Sequence, residues 1–267
     1  MKQILVTGAA GGMGRATVKR LAESGYLVFA IDRVPCEAGE NVVPITADLT
    51  DPSSVASAFD AVCEKTTALC GILHLAGIYL LDSLAEISPE AFARAFEVNL
   101  GAAFLVNKTF LPLLGKGSKI IHVTSELAVR DPLPFTGLYG ITKAALDRYA
   151  YSLRMELQLK GILVSVLRAG AVDTDMIGTS TRQLDAFCNN TKLYSCNATR
   201  FKKIVDSVEA RRIPPEKLAK KLCRILEKKA PRFAYALNRN PLLILFDCLP
   251  TPFRFFLIRK ILNDPNQ

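Results

Sequence analysis

The sequence lacks several features that would assign it to a membrane-spanning, secreted or metal-binding class. Its 267 residues contain no tryptophan, two histidines and seven cysteines, with no C-x-x-C pair among them. No apolar run reaches the roughly twenty residues that a membrane-spanning helix needs. No signal-peptide pattern precedes the first strand-like segment. We therefore expect a reduced, cytoplasmic protein without disulfides, without a metal site and without a membrane span.

Positive charge is concentrated in the last third of the chain. The formal net charge is +9, and from Gly178 onwards 18 Lys and Arg stand against 7 Asp and Glu. A solvated basic surface explains this excess, but an acidic substrate or the anionic head groups of a membrane would also suit it. No nucleic-acid-binding motif accompanies the charge, so nucleic acid is not an expected partner.

The first 177 residues alternate between apolar runs and helical patterns. Because the runs are nearly continuous in Val, Ile and Leu, they indicate strands that are buried on both faces. Such alternation predicts an α/β fold with a doubly wound parallel sheet. The predicted strands are QILVT, YLVFAID, NVVPITADL, GILHLAG, KIIHVTS and ILVSVLR, with helices over 52–65, within 89–114 and over 138–160.

The pattern indicates one domain with a C-terminal helical extension. Residues 1–236 form the predicted dinucleotide-binding and catalytic domain, and within it the polar and basic region 178–212 is the expected substrate loop. The segment PPEKLAKKLCRILEKK predicts a helix and RFAYAL a last strand. Residues 237–267 form an apolar and basic tail that lines a pocket, rests on a membrane, or packs on the protein or a subunit partner.

The stretch VTGAAGGMGRAT lies between the first strand and the first helix. Backbone N–H groups at a helix start, together with the helix dipole, favour an anion at such a place. Gly8, Gly12 and Gly14 leave room for a pyrophosphate to approach the backbone. A glycine-rich turn without a ligand is the alternative.

Asp32 ends the second strand, eighteen residues after Gly14. An acidic side chain at that place accepts hydrogen bonds from both ribose hydroxyls of an adenosine and repels a 2′-phosphate. This favours NAD(H) over NADP(H), although the neighbouring Arg33 softens the preference.

Tyr139 and Lys143 are four residues apart on a predicted helix and so share one face, while Ser125 ends a strand upstream. A free tyrosine titrates near pH 10, about 4 kcal/mol away from a useful base at neutral pH. An ammonium group about 4 Å away supplies roughly that amount at an effective dielectric constant near 20. We therefore expect Lys143, helped by a positive nicotinamide, to lower the pKa of Tyr139, and Ser125 to stabilise charge on a substrate oxygen. A Y-x-x-x-K pair alone is also common on exposed helices.

Taken in order, these motifs resemble the short-chain dehydrogenase/reductase family. They are T-G-x-x-x-G-x-G at 7–14, Asp32, ADL at 47–49, HLAG at 74–77, VNL at 98–100, Ser125 and Tyr139-x-x-x-Lys143. The resemblance is strong over residues 2–176 and implies a Rossmann-like sheet of about seven strands in a homodimer or homotetramer. The tail is loosely similar to the branch that contains hydroxysteroid and retinol dehydrogenases.

The resemblance also implies roles for matching positions. Tyr139 would be the general acid/base, Lys143 would lower its pKa and bind the nicotinamide ribose, and Ser125 would orient the substrate oxygen. Asn99 would hold, through its backbone, a water that relays protons to Lys143. The implied cofactor-binding residues are Gly8, Gly12, Met13, Gly14, Asp32, Arg33, Asp48, Leu49, Ala76, Gly77, Asn99, Tyr139, Lys143, Val172 and Thr174.

Two departures from the family pattern affect these expectations. His74 and Leu75 replace the usual pair of asparagines before Ala76-Gly77, and we expect His74 to be packed rather than catalytic. Ser125 lies a residue or two further from Tyr139 than is common in the family. In an alternative alignment, Glu126 stands at the position of the family's serine.

The predicted function is an NAD(H)-dependent oxidoreductase that interconverts a secondary alcohol and a ketone. The tail favours a lipophilic substrate such as a hydroxysteroid, and the basic excess favours a carboxylated one such as a bile acid. A 3-oxoacyl reductase or a polyol dehydrogenase is the alternative among enzymes. A non-catalytic, dinucleotide-binding sensor is the alternative outside them.

Overall fold

The computed structural model of the protein describes residues 1–208 and 212–263. Seven parallel strands form one sheet in the order β3-β2-β1-β4-β5-β6-β7, which confirms the predicted doubly wound α/β fold. The strands are β1 (Lys2–Thr7), β2 (Tyr26–Asp32), β3 (Val42–Thr46), β4 (Leu69–His74), β5 (Leu114–Ser125), β6 (Leu163–Ala169) and β7 (Ala234–Leu237).

Helices cover both faces of the sheet, as buried parallel strands require. One face packs on α1 (Gly12–Glu23) and α8 (Pro215–Leu226) through residues such as Leu21 and Leu222. The other packs on α2 (Pro52–Cys63), α4 (Ala102–Phe110) and α5 (Gly137–Leu157), where Phe110 is fully buried. Before α4, α3 (Pro89–Phe96) continues through a π-helical turn at Glu97–Gly101.

The strand order places a binding crevice at one point of the sheet. The chain winds outwards from β1 in both directions, to β2 and β3 on one side and to β4 on the other. In open α/β sheets, ligands bind beyond the carboxyl ends of the strands where the winding direction changes. The turns after β1 and β4 therefore face each other across this crevice.

The last third of the chain is largely helical. Residues in the expected substrate-loop region 178–212 form most of α6 (Asp175–Asn190) and all of α7 (Ser195–Val208), and residues 209–211 of that region lie outside the described residues. The tail forms α9 (Pro241–Asp247) and α10 (Thr251–Leu262), which fits the expected helical extension, while residues 264–267 lie outside the description.

Both histidines of the chain lie in the core between β4, β5 and the helices behind them. The His74 and His122 rings stack with centroids 4.4 Å apart, and His74 Nε2 donates to Asn107 Oδ1 at 2.8 Å. Asn107 Nδ2 in turn donates to the Tyr149 hydroxyl. Neither ring nitrogen of His122 has a hydrogen-bond partner among the described residues. The expectation that His74 is packed is thus confirmed, because only 4% of it is exposed.

Candidate active site

The glycine turn after β1 lines a cleft of about 550 Å³ at the predicted crevice. Gly8 has a φ of +69°, and a Cβ there would lie 2.4 Å from the Ala76 nitrogen. A Cβ on Gly14 would lie 2.0 Å from the Gly8 carbonyl oxygen, so α1 begins directly against the turn. These glycines bring backbone N–H groups to the cleft wall, as the binding of a pyrophosphate requires.

The carboxylate of Asp32 lies at the same wall. Its Oδ2 accepts a hydrogen bond from the Ala10 nitrogen at 3.0 Å, and its Oδ1 accepts one from the Val34 nitrogen at 3.3 Å. These bonds fix the side chain at the end of β2, where Arg33 also lines the cleft. An acceptor held in this way suits a ribose diol better than a phosphate.

Next to Asp32, the cleft contains a second charged group. Thr50 donates to Asp48 Oδ1 from both its nitrogen and its hydroxyl, at 2.9 and 2.6 Å. These bonds lower the pKa of Asp48, and the Arg94 and Arg33 charges lower it further. Arg94 also donates to Thr50 Oγ1 at 3.0 Å and lines the cleft. Asp48 is therefore ionised and held facing two cations.

Ser125, Tyr139 and Lys143 lie at the ends of β5 and α5, next to Gly77 and Tyr79, which line the cleft. The Ser125 hydroxyl accepts from the Leu127 nitrogen at 3.2 Å and lies close enough to the Tyr139 hydroxyl to lower the pKa of the phenol. Lys143 Nζ lies 5.7 Å from the centroid of the Tyr139 ring, and Lys143 is 6% exposed. The four-residue spacing on α5 thus places the two groups on one face, as predicted.

Burial controls the ionisation of this pair. It raises the pKa of Tyr139 to about 12, while the Ser125 hydrogen bond opposes that rise. It also lowers the pKa of Lys143 to about 8. In the chain alone, the cost of burying the phenolate therefore dominates the pKa of Tyr139, and its lowering by Lys143 together with a positive nicotinamide stays a prediction.

Asn99 holds the segment after β4 in place next to Lys143. Its Oδ1 accepts from the Ile78 nitrogen at 2.7 Å, and its Nδ2 donates to the Ile78 oxygen and to Thr142 Oγ1, each at 3.0 Å. A Cβ on Gly77 would lie 3.0 Å from both Asn99 Oδ1 and Lys143 Nζ. The π-helical turn therefore aims the Asn99 side chain at the backbone of this segment.

Glu126, the alternative to Ser125, faces away from Tyr139. Its Oε2 accepts from the Asn240 nitrogen at 2.9 Å and lies 3.8 Å from Arg130 Nε. The Glu126 carboxylate thus binds the start of the tail, and the serine is the residue that contacts the tyrosine.

The other predicted residues divide between the cleft and the core. Val172 is 6% exposed and packs with the core beneath α1 and α8, so only its backbone is available to a ligand. The cleft is lined, among the predicted cofactor-binding residues, by Gly8, Gly12, Met13, Gly14, Asp32, Arg33, Asp48, Leu49, Ala76, Gly77 and Thr174.

Sequence reasoning missed three residues around the site. Arg94 comes from α3, and no motif marks it. Tyr79 places its ring 4.8 Å from that of Tyr139. Gln183 of α6 donates to the Tyr79 oxygen at 2.8 Å and accepts from the Leu81 nitrogen at 3.1 Å, which holds the segment that carries Tyr79 over the site.

Comparison with known proteins identifies the family. A model described as short chain dehydrogenase matches residues 2–185. The chain belongs to this family, and with it to the NAD(P)-dependent oxidoreductases that act on CH–OH groups.

Individual relatives carry several different activities in their names. The chain is 27% identical to a 3-ketodihydrosphingosine reductase of Bacteroides thetaiotaomicron over 86% of its length and 85% of that protein. It is 30% identical to estradiol 17-beta-dehydrogenase 2 of Mus musculus over 67% of its length, which spans 50% of that protein.

A solved structure supports the fold alone. It is the structure of a 3-ketoacyl-(acyl-carrier-protein) reductase of Brucella melitensis complexed with NADH. The match covers 88% of this chain and 95% of the reductase chain, with a TM-score of 0.72 and 22% sequence identity.

Proposed function

We propose that this protein is an NAD(H)-dependent dehydrogenase/reductase that interconverts a lipophilic secondary alcohol and its ketone. The observation that carries the proposal is the grouping of Ser125, Tyr139 and Lys143 next to Gly77 and Tyr79, which line the same cleft as the glycine turn and Asp32. The cleft fits a dinucleotide because its glycines admit a pyrophosphate and Asp32 presents fixed carboxylate oxygens.

The residues of the chain supply binding and proton transfer. When it is bound, the nicotinamide supplies or accepts the hydride. With a pKa of about 12, Tyr139 is protonated at neutral pH, so it is ready to donate its proton to a ketone oxygen during reduction. Ser125 hydrogen-bonds the same oxygen and orients it.

Lys143 and Asn99 complete this proton site. Lys143, with its pKa of about 8, is mostly charged at neutral pH and stabilises the phenolate that remains after the transfer. In the oxidation direction, the phenolate accepts the alcohol proton. Asn99 keeps the Gly77–Ile78 backbone against Lys143, which fixes the position of the ammonium group.

The preference for a lipophilic substrate rests on the surroundings of Tyr139. The segment that carries Tyr79 and Leu80 lies over the site, and its Leu81 packs in an apolar cluster. That cluster also contains Phe135 of the loop after β5 and Phe187 and Phe201 of α6 and α7. This buried cluster supports the segment from behind, and Tyr79 and Leu80 are its side chains that line the cleft. A polyol would leave hydroxyl groups without partners against these two side chains.

Two relatives named for lipid-like substrates agree with this preference, and the excess of Lys and Arg in the last third of the chain suits a carboxylated substrate. A hydroxysteroid, including a bile acid, is therefore the leading substrate class, and a long-chain keto lipid is the second candidate. A 3-oxoacyl thioester is the third candidate substrate, because the protein shares its fold with a reductase named for a substrate of that kind.

A substrate panel measured with NADH and NADPH tests the proposal. The panel contains a neutral oxosteroid, a carboxylated oxosteroid, a long-chain 3-keto amine, a 3-oxoacyl thioester and an aldose or polyol. We expect kcat/KM to be highest with NADH and a lipophilic ketone, and higher for the carboxylated than for the neutral steroid. Fast turnover of the polyol with slow turnover of every lipophilic compound would contradict the substrate class.

A further inference from the structure

We propose that α9 and α10 form a surface that binds peripherally to an anionic membrane. This tail surface consists of the exposed apolar and basic side chains of residues 239–262. We infer it from apolar exposure, from the way the tail is anchored to the protein, and from the placement of its charges.

The tail surface exposes large apolar side chains close together in the chain. Leu245 is 66% exposed, Phe255 70% and Phe256 56%. Isolated exposed apolar residues are ordinary, but a contiguous group marks a binding surface. The exposed members in α9 and α10 are Leu242, Ile244, Leu245, Phe253, Phe255, Phe256 and Ile261.

Only one side of α10 packs against the rest of the protein. Ile258 and Leu262 enter the apolar cluster with Ala198 and Phe201 of α7, and Asn197 Nδ2 donates to the Leu262 oxygen at 2.8 Å. The sequence TPFRFFLIRKIL is apolar around most of the helix. A helix that is apolar on nearly all sides is normally covered on those sides, so the exposed part requires an occupant.

The tail is firmly attached to the body of the protein and is not a loose end. Arg130 forms an ion pair with Asp247 of α9, and Arg254 of α10 forms one with Asp131. The Asn240 nitrogen donates to Glu126, the residue after Ser125. A membrane that met the tail surface would therefore lie next to the loop that follows Ser125.

The charges of the tail favour an anionic partner. Residues 239–262 contain one acidic residue, Asp247, and its charge is neutralised by the ion pair with Arg130. The exposed Arg239, Arg259 and Lys260 lie next to the apolar residues in the chain. Basic side chains bordering exposed Phe and Leu are the pattern of a protein that lies on a bilayer of anionic lipids.

The tail surface rests on a bilayer rather than crossing it. In the described part of the chain, no helix combines the length and the apolar character that a membrane crossing demands. The 12 residues of α10 span about 18 Å, which is shorter than the hydrocarbon core of a bilayer.

Vesicle co-sedimentation of the full chain tests this directly. The probes are phosphatidylcholine vesicles with and without about one quarter phosphatidylglycerol. We expect the wild type to bind the anionic vesicles, to bind the neutral ones more weakly, and to be released from the anionic ones by salt. Phe255→Ser/Phe256→Ser should weaken the binding by about tenfold or more, since two exposed rings leave the interface.

Two matched variants control for nonspecific effects. Phe92→Ser/Phe104→Ser removes two similarly exposed rings from α3 and α4, and Lys217→Gln/Lys220→Gln removes two exposed charges from α8. Neither should change vesicle binding, whereas Arg259→Gln/Lys260→Gln should weaken binding to the anionic vesicles only. Thermal unfolding of each variant verifies that it is folded.

Three results would overturn the proposal. They are a wild type that binds neither kind of vesicle, a Phe255→Ser/Phe256→Ser variant that binds as well as the wild type, and equal binding to neutral and anionic vesicles. Sedimentation velocity tests the alternative that a second copy of the chain covers the tail surface. In that case the wild type would be an oligomer that binds no vesicles, and Phe255→Ser/Phe256→Ser would convert it to a monomer.

Discussion

The stacked pair of histidines makes the stability of the protein sensitive to mild acid. Burial lowers the pKa of His74 from 6.5 to about 4, and burial, His74 and Lys143 lower that of His122 well below its usual value. In the unfolded chain both imidazoles take up a proton near pH 6.5. Between that pH and the lowered values, the unfolded state binds more protons than the folded state, so stability falls as the pH falls.

The size of the effect follows from the shift of His74. His74 titrates at about 6.5 in the unfolded chain and at about 4 in the folded protein. The free energy of unfolding therefore falls by about 1.3 kcal/mol between pH 7.5 and pH 5.5. Burial also lowers the pKa of His122, so the protonation of this imidazole in the unfolded chain adds to the loss in the same direction. For a chain of this length, the loss from His74 alone lowers the melting temperature by about 3 °C.

The assay is chemical or thermal unfolding followed by circular dichroism at both pH values. The chain has no other histidine, and the lowered pKa values of Asp48 and Glu86 cost stability only at more acidic pH. The control is His122→Phe, which keeps a ring between His74 and Tyr149 and removes one titrating group; it should reduce the pH effect. Equal stability of the wild type at both pH values, or an undiminished loss in His122→Phe, would show that the buried histidines do not set this pH dependence.

Three further predictions concern the active site. Gly77→Ala should lower kcat about tenfold, since its Cβ would press on Lys143 Nζ and Asn99 Oδ1 at 3.0 Å, whereas Gly115→Ala, with open space around it, should leave kcat unchanged. The rate of ketone reduction should fall as the pH rises through about 8, because the Lys143 ammonium is lost there, and a rate that stays level to pH 9.5 would contradict this assignment. Asp32→Ala should shift the NADPH-to-NADH ratio of kcat/KM upwards by about tenfold or more, because a carboxylate that repels a 2′-phosphate is removed, and Arg33→Ala should shift it the opposite way.

The parts of the fold and site that the sequence predicted are those encoded over short distances. The apolar runs predicted the sheet, the turn around Gly8 to Gly14 predicted the cleft, and the spacing of Tyr139 and Lys143 on α5 predicted their common face. Each of these depends on backbone geometry within one or two elements, so periodicity and glycine placement suffice.

What the sequence could not predict depends on contacts between distant segments. Gln183 bonds to the Tyr79 backbone across 104 positions, and Glu126 bonds to Asn240 across 114. The rise in the pKa of Tyr139 in the chain alone was missed for the same reason, since a Coulomb estimate between two groups omits the burial that the whole domain imposes. The helices in 178–212 were missed because polar and basic residues dominate their composition, although Leu184, Phe187 and Cys188 on α6 and Ala198, Phe201 and Val205 on α7 have the spacing of an apolar helix face.

The Tyr139→Phe variant determines whether Tyr139 transfers the proton at a dinucleotide site. The control is Tyr151→Phe, which alters an exposed tyrosine on the same helix. NADH binding is measured by the cofactor's fluorescence, and hydride transfer by single-turnover absorbance with a ketone from the panel. We expect Tyr139→Phe to bind NADH like the wild type and to lose hydride transfer by about three orders of magnitude, while Tyr151→Phe retains both. A Tyr139→Phe variant that reduces the ketone at the wild-type rate would contradict the account.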